Sequence, residues 1–267
     1  MKYEEYYDLC KEEYKKDFPH IETFLYSSPV RVHEIGFFSE SFYKTVEVLA
    51  EKIKKDLNLV NDNFMPQHKD IFKFKKELNS LANEIVPMLE KNHFGCYLYV
   101  DKVYIYRTAP VKKRESSYLW HHDNNPNEIL KNCIYLNEVT DNNSPFEYLV
   151  DKDEKPHLIK STREGKEHWV KKPDTRLDSE VSRLVTKHGY STKKVFGGRG
   201  LVTSFLNNVV HRANPVIKGY RDVINIRVKP TLVKPPEYIN NLWTTSFETS
   251  GTVDMNPKKD WRTNVEL

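Results

Sequence analysis

The chain has 267 residues, of which 38% are hydrophobic and 12% aromatic, so it can bury one sizeable core. Its 42 basic and 38 acidic residues leave a net charge of +4, and this small excess argues against a protein dedicated to nucleic acid. Its 3 cysteines are widely separated and form no CxxC motif, which argues against a disulfide framework or a cysteine zinc site. The N-terminus lacks an apolar signal segment and no stretch is apolar enough to span a bilayer, so we expect a cytoplasmic protein without membrane contact.

The N-terminal third has the periodicity of helices. A first apolar stripe recurs every three or four residues, with Ser39 or Ser41 as its candidate cap. A second stripe runs from Ile71 to Ile85, and we predict that Pro87 kinks or ends this helix. Both stripes are predicted to pack into the core. The first stripe consists of Phe42, Val46, Leu49, Ile53 and Leu57.

From Gly95 onward the pattern changes to short runs rich in β-branched and aromatic residues. Turn sequences separate these runs, which predicts an antiparallel sandwich or barrel. The first run contains Asp101-Lys102, where we expect a single strand or a break into two. A polar stretch follows the third run, and its end, SEVSRLVTKHG, is predicted to be a short helix ending at Gly189. The runs are CYLYVDKVYIYR (96–107), NCIYLNEV (132–139), PFEYLV (145–150), GLVTSFL (200–206) and DVINIRV (222–228).

Two histidines precede an aspartate in the stretch YLWHHDNNP. On an extended chain, residues two apart project to one side, so His121 and Asp123 can reach a single point while His122 faces away. His211, which follows another strand-like run, offers a third ligand. Two imidazoles and one carboxylate on one face of a metal ion leave positions open, an arrangement that suits non-haem Fe(II) oxygenases. Arg221, opening the next strand-like run, offers a bidentate partner for a carboxylate.

With these four positions in this order, the chain resembles the Fe(II)/2-oxoglutarate-dependent dioxygenases, in the phytanoyl-CoA dioxygenase-like branch. The resemblance covers roughly residues 95–230 and rests on WHHD, on LKNCIYLNEVTDNNSPFEYL and on FGGRGLVTSFLNNVVHRANPVIKGYRDVINIRVKP. The chain departs from the family after the Pro-Phe turn, where LVDKDEKPH stands in place of a Gly-Ser-His segment. This departure concerns the lid and the substrate contacts rather than the metal site.

The resemblance implies an α+β fold that is mainly β: a double-stranded β-helix of the jelly-roll or cupin type with N-terminal helices packed on it. A single dioxygenase domain would then span residues 1–267. It would comprise a mostly helical part (1–94), the β-helix core (95–230) with an insertion or lid (151–193), and a C-terminal extension (231–267).

The resemblance further implies hydroxylation of an unactivated C–H bond in a small-molecule metabolite, with oxidative decarboxylation of 2-oxoglutarate to succinate and CO2. Its cofactors would be Fe(II), 2-oxoglutarate as co-substrate and O2, with ascorbate as a reductant. His121, Asp123 and His211 would be the metal ligands and the catalytic centre, and Arg221 would pair with the distal carboxylate of 2-oxoglutarate. Because halogenating relatives have a small residue where Asp123 stands, we expect hydroxylation.

Further residues near these positions are weaker candidates. Asn225 and Arg227 share strand parity with Arg221, and Tyr104 and Arg107 lie on the first predicted strand. We predict that Asn225 and Tyr104 contact the co-substrate. The candidates for contact with the substrate are Trp120, Arg107 and Arg227, for which ordinary packing is an equal alternative.

Two other functions remain open. Arg221 and Arg227 form an R-x5-R pair, which resembles the arginine pair of nucleic-acid demethylases that repair alkylated bases. The short spacing between His211 and Arg221 and the mild net charge argue against this activity, so we expect no nucleic-acid partner. A cupin-like barrel that binds a metal or small ligand without turnover is the second alternative, and Arg221 argues against it. The sequence leaves the substrate and the oligomeric state open.

Overall fold

The structure is a computed structural model, and within its described residues there are four α-helices and ten β-strands. The helices are α1 (Tyr3–Asp17), α2 (Glu40–Leu57), α3 (Lys75–Leu89) and α4 (Asp178–His188). Among these residues, no helix is both long enough and apolar enough to cross a membrane. The described residues are 3–23, 25–58, 67–68, 70–123, 127–160, 176–239, 243–246 and 252–255.

The predicted helical stripes are buried, and their ends follow from local chemistry. The Ser39 hydroxyl accepts a hydrogen bond from the Phe42 backbone N–H, so Ser39 is the cap of α2. Pro87 lies in the last turn of α3, and the chain continues as one π-type turn that ends at Gly95 with φ 61°. The predicted end of α4 at Gly189 is confirmed, because Gly189 is left-handed at φ 70°.

The strands form two principal antiparallel sheets. The larger sheet has the order β1-β6-β3-β8-β2, the smaller has the order β5-β4-β7, and β9 and β10 pair with each other. Five of these strands, β1, β5, β7, β9 and β10, were not predicted from the sequence. The strands are β1 (Val30–His33), β2 (Tyr97–Thr108), β3 (Leu130–Tyr135), β4 (Phe146–Val150), β5 (Ser191–Val195), β6 (Val202–Leu206), β7 (His211–Ala213), β8 (Arg221–Thr231), β9 (Trp243–Ser246) and β10 (Thr252–Met255).

The first predicted run is one strand with a bulge. β2 pairs with β8 along its length, and the register shifts between Val100 and Lys102, so Asp101 has no partner residue opposite it. The Asp101 carboxylate is held by Arg227 at 2.8 Å and by Lys229 at 2.8 Å. The bulge therefore bends the strand at Asp101-Lys102 without breaking it.

The five-stranded sheet has one face toward the helices and one toward the smaller sheet. Apolar residues of α1, α2 and α3 form one core with Val100, Ile105, Ile224 and Ile226 of the sheet. The residues of opposite parity pack across the gap between the sheets, as Phe205 of β6 does against Phe146 of β4. Side chains of this second face therefore surround the space between the two sheets.

Candidate metal centre

His121 and His211 lie directly opposite each other at one end of the space between the sheets. Each backbone N–H donates to the carbonyl of the other residue, at 3.0 Å and 2.9 Å. The two imidazole rings have centroids 4.3 Å apart. The backbone pairing therefore brings together two histidines that are distant in sequence.

Each imidazole is oriented by its own backbone. The Nδ1 of His121 lies 2.8 Å from the Leu119 carbonyl oxygen, and the Nδ1 of His211 lies 2.7 Å from that of Val209. A carbonyl accepts only, so each Nδ1 carries the proton and each Nε2 keeps a free lone pair. This is how backbone carbonyls hold histidines that bind a metal through Nε2.

Asp123 completes the group, and Lys131 holds its carboxylate. One oxygen, Oδ1, lies 3.9 Å from His121 Nε2, and the other, Oδ2, accepts a hydrogen bond of 2.7 Å from Lys131 Nζ. One ligand atom from each of His121, Asp123 and His211 lies within 4.8 Å of the others. His122, between two members of the group, is buried but is not part of it.

The protonation states suit a metal ion. Burial lowers the pKa of His211 to about 4, and burial followed by the proximity of His211 lowers the pKa of His121 well below its ordinary value. Burial on its own raises the pKa of Asp123, but the Lys131 ammonium and the two imidazoles outweigh burial and hold that pKa well below its usual range. At neutral pH the cluster presents two neutral imidazoles and one carboxylate, the forms that bind Fe(II). The donor set therefore fits the metal.

His121 and His211 line a cavity of about 790 Å³, counting its open mouth, and so does Lys131, which holds Asp123. Arg221 lines this cavity and is 4% exposed. Its Nη2 donates to the Thr108 hydroxyl at 3.3 Å, its Nε has no partner, and no carboxylate of the described residues pairs with it. A buried guanidinium without an acid requires an anion for compensation. The cavity can therefore hold a metal ion at one place and a carboxylate at another.

Known proteins resemble this chain in structure rather than in sequence. No protein-family model and no curated protein sequence matches the chain. The apoform of EctD from S. alaskensis matches with a TM-score of 0.53 at 17% identity, over 88% of this chain and 82% of EctD. EctD with 2-oxoglutarate and 5-hydroxyectoine matches with a TM-score of 0.51 at 15% identity, over 76% and 72%. The non-heme alpha-ketoglutarate-dependent carbocyclase SnoK, from nogalamycin biosynthesis, matches with a TM-score of 0.50 at 16% identity, over 76% and 80%.

These neighbours are iron- and 2-oxoglutarate-dependent enzymes of the phytanoyl-CoA dioxygenase-like family. The chain has their fold. The predicted α+β architecture with a jelly-roll core is thereby confirmed. At such identities the likeness extends to the fold alone, so the roles of individual residues rest on the geometry of this chain itself.

The residues predicted to contact the co-substrate line this cavity. In the register of the sheet, Asn225 lies opposite Tyr104 and Arg221 lies opposite Thr108, so all four side chains share a face. Asn225 and Tyr104 both line the cavity, and Asn225 Oδ1 is buried without a partner. Both residues stay candidates for contact with the co-substrate.

The three candidates for contact with the substrate do not line the cavity. Arg107 lies opposite Asp222, on the other face of the sheet, and forms two hydrogen bonds to its carboxylate at 2.7 Å and 2.8 Å. Arg227 is bonded to Asp101 through two nitrogens in the same way. Trp120 is buried and is covered by the Arg212 guanidinium, 4.6 Å above its ring. These contacts favour structural roles for the three residues, and their contact with the substrate stays an untested prediction.

The polar residues of the cavity that sequence reasoning missed include Lys131 and Gln67. Lys131 is half-buried beside Asp123, and Gln67, from the segment before α3, has its Oε1 buried without a partner. The signal for Lys131 was available, because it is a lysine within an otherwise apolar strand. Gln67 had no such signal, since it lies outside any periodic segment.

Proposed function

We propose that this chain is an Fe(II)/2-oxoglutarate-dependent oxygenase that hydroxylates a C–H bond of a small-molecule metabolite. The observation that carries the proposal is the cluster of His121, Asp123 and His211, whose two histidines line one cavity with a buried Arg221 that has no acidic partner among the described residues. The shared fold supports it, since EctD is seen with 2-oxoglutarate and SnoK depends on alpha-ketoglutarate.

In this proposal, His121 Nε2, His211 Nε2 and one Asp123 oxygen hold Fe(II), and iron with 2-oxoglutarate supplies the oxygen activation. Lys131 holds the second Asp123 oxygen, which directs the first toward the metal. Arg221 pairs with the distal carboxylate of 2-oxoglutarate and fixes the orientation of the co-substrate. Burial of His121, His211 and Arg221 limits the contact of these groups with water.

Hydroxylation is the finer part of the proposal, because SnoK shows that this fold also supports ring closure. Asp123 supports hydroxylation over halogenation, since its carboxylate fills the position that a halide would need. The second arginine expected of a demethylase would be Arg227, but Arg227 already forms a buried ion pair with Asp101.

The test is decarboxylation of 2-oxoglutarate by the purified protein with Fe(II) and ascorbate, followed as release of labelled CO2 without added substrate. We expect His211→Ala to abolish this turnover and to lose Fe(II) or Co(II) binding, while His188→Ala, which removes an exposed histidine of α4, leaves both intact. Unchanged turnover in His211→Ala would refute the assignment. Metal binding by the wild type without any succinate, over a broad substrate panel, would favour a barrel that binds without turnover.

The substrate can be sought in the same system. Incubation of the loaded enzyme with a metabolite extract should produce a compound heavier by one oxygen atom, and His211→Ala is the matched blank. A product changed by loss of hydrogen instead would show ring closure or desaturation.

A further inference from the structure

A second group of basic side chains lies on the opposite face of the five-stranded sheet from the metal cavity. Arg31 and His33 of β1 lie opposite Ser204 and Val202 of β6, whereas Phe205, which lines the cavity, has the other parity. On this face, which is the one toward the helices, a groove runs between β1 and the end of α3. We call it the Arg31 groove, and its lining includes His20, Arg31, His33, Phe37, Met88 and Lys91.

Arg31 and His33 of the groove, and the buried His93 near them, lack partners. Arg31 is partly buried, and no carboxylate of the described residues forms an ion pair with it. His33 is 6% exposed, and its Nε2 has no hydrogen-bond partner. His93, which belongs to the turn after α3, is 0% exposed, and neither ring nitrogen has a partner. Buried polar atoms of this kind are rare unless a water or a ligand satisfies them.

The ionisable groups that are buried or half-buried at the groove are all basic. Burial and then the Arg31 charge lower the pKa of His33 to about 4 and that of His93 to about 3, so these three groups lie close enough to repel one another when charged. Burial also lowers the pKa of Arg31. Glu22 lines the groove but is exposed and forms no ion pair with Arg31. Arg31 is therefore a partly desolvated cation without an acidic partner among the described residues, and an anion bound in the groove would compensate it.

The apolar part of the lining indicates what such an anion carries. Phe37 is 55% exposed, and its ring packs 4.6 Å from that of His33. An aromatic or aliphatic group bound here would cover this surface, while a guanidinium fork accepts a carboxylate or a phosphate.

We propose that the Arg31 groove binds a small organic anion, whose carboxylate or phosphate pairs with Arg31 and accepts a hydrogen bond from His33 Nε2, and whose apolar part lies against Phe37. This site is separate from the metal cavity and does not depend on the function proposed for that cavity. Its ligand need not be the substrate of the oxygenase reaction.

The experiment follows the imidazole signals of His33 by NMR in the full chain with labelled histidine, without metal or 2-oxoglutarate. The probes are phenyl phosphate, benzoate and inorganic phosphate, and loss of the signals in His33→Gln assigns them. We expect saturable shifts with phenyl phosphate or benzoate, and the tighter of the two identifies the charged group. Inorganic phosphate should bind more weakly because it leaves Phe37 uncovered.

Arg31→Gln should weaken binding by about 10-fold or more, since a charge-assisted fork is lost. The matched control is Arg199→Gln, which removes an arginine paired with Glu51 outside the groove. An absence of saturable shifts in the wild type with all three probes would overturn the proposal, as would equal affinity in Arg31→Gln. The wild-type titration decides the matter even if Arg31→Gln does not fold.

Discussion

Buried arginines in this chain differ in what compensates their charge. Arg107 and Arg227 each bond to one carboxylate through two nitrogens, with Asp222 and Asp101 as the partners. Arg221 is equally buried, but its partners are neutral hydroxyls, that of Thr108 at 3.3 Å and that of Tyr135. Since the same chain supplies acids where a guanidinium is structural, the missing acid at Arg221 indicates a site for an external anion.

We expect Arg221→Ala to raise the KM for 2-oxoglutarate by about 10- to 100-fold, because hydrogen bonds to a charged group contribute roughly 1.5–3 kcal/mol. Metal affinity should stay within about 2-fold of the wild type, because Arg221 is not one of the three clustered ligand residues. A 2-fold change corresponds to only about 0.4 kcal/mol. Steady-state decarboxylation and Co(II) titration measure the two quantities. Arg199→Ala is the control, and a loss of metal affinity in Arg221→Ala equal to its loss of 2-oxoglutarate affinity would contradict the assigned role.

Lys131 gives a second prediction at this scale. Its ammonium is the main reason why the pKa of Asp123 is low despite burial. In Lys131→Met, burial acts without this compensation and raises the Asp123 pKa, so the carboxylate takes up a proton at a higher pH than in the wild type. Co(II) affinity should therefore fall more steeply between pH 7.5 and pH 5.5 in Lys131→Met, whereas Lys131→Arg should behave like the wild type. Parallel pH profiles for Lys131→Met and the wild type would contradict this.

The elements that could be predicted from the sequence are those in which buried positions produce a regular pattern of apolar residues. The stripe of α2 and the runs of β2, β3, β4, β6 and β8 face the core and carry its periodicity. β5 (STKKV) is an edge strand and mostly exposed, and β7 is three residues long, so neither shows a pattern. Parity selected the pair His121 and Asp123, but whether Arg107 or Thr108 faces the cavity depends on the bulge at Asp101, which the sequence does not reveal.

That bulge is itself a test at the scale of the element. Asp101 is 5% exposed and compensates both Arg227 and Lys229, so Asp101→Ala leaves two cations without a partner. We expect a loss of about 3–5 kcal/mol in the free energy of unfolding. Asp141→Ala, which removes an exposed partner of Lys194, should cost below about 1 kcal/mol. Urea denaturation of both variants provides the comparison. Equal losses in the free energy of unfolding would show that the buried ion pairs of Asp101 stabilise the protein no more than the exposed pair of Asp141.

For the whole molecule, stability should depend on pH through Glu90, in the turn that connects α3 to β2. Glu90 is 4% exposed, and one of its oxygens accepts a hydrogen bond of 2.9 Å from the Leu98 backbone N–H. Burial raises the pKa of Glu90 to about 7, against an ordinary value of 4.5, and the Leu98 N–H offsets part of that effect. Between these two values the native protein keeps a proton that the unfolded chain has released.

The native state therefore loses stability as the pH rises from about 4.5 to about 7, and above that range the cost of the buried charge is fully present. A shift of this size corresponds to roughly 3–4 kcal/mol. Glu90→Gln keeps an oxygen that can accept from Leu98 but carries no charge, so its free energy of unfolding relative to the wild type should rise between pH 5 and pH 8. Glu12→Gln, which changes an exposed residue of α1, should show no such trend. Urea unfolding at both pH values isolates the contribution of Glu90, because the other carboxylates are common to the wild type and the variant. If the difference in free energy of unfolding between Glu90→Gln and the wild type is the same at pH 5 and pH 8, Glu90 is already ionised in the native protein at pH 5.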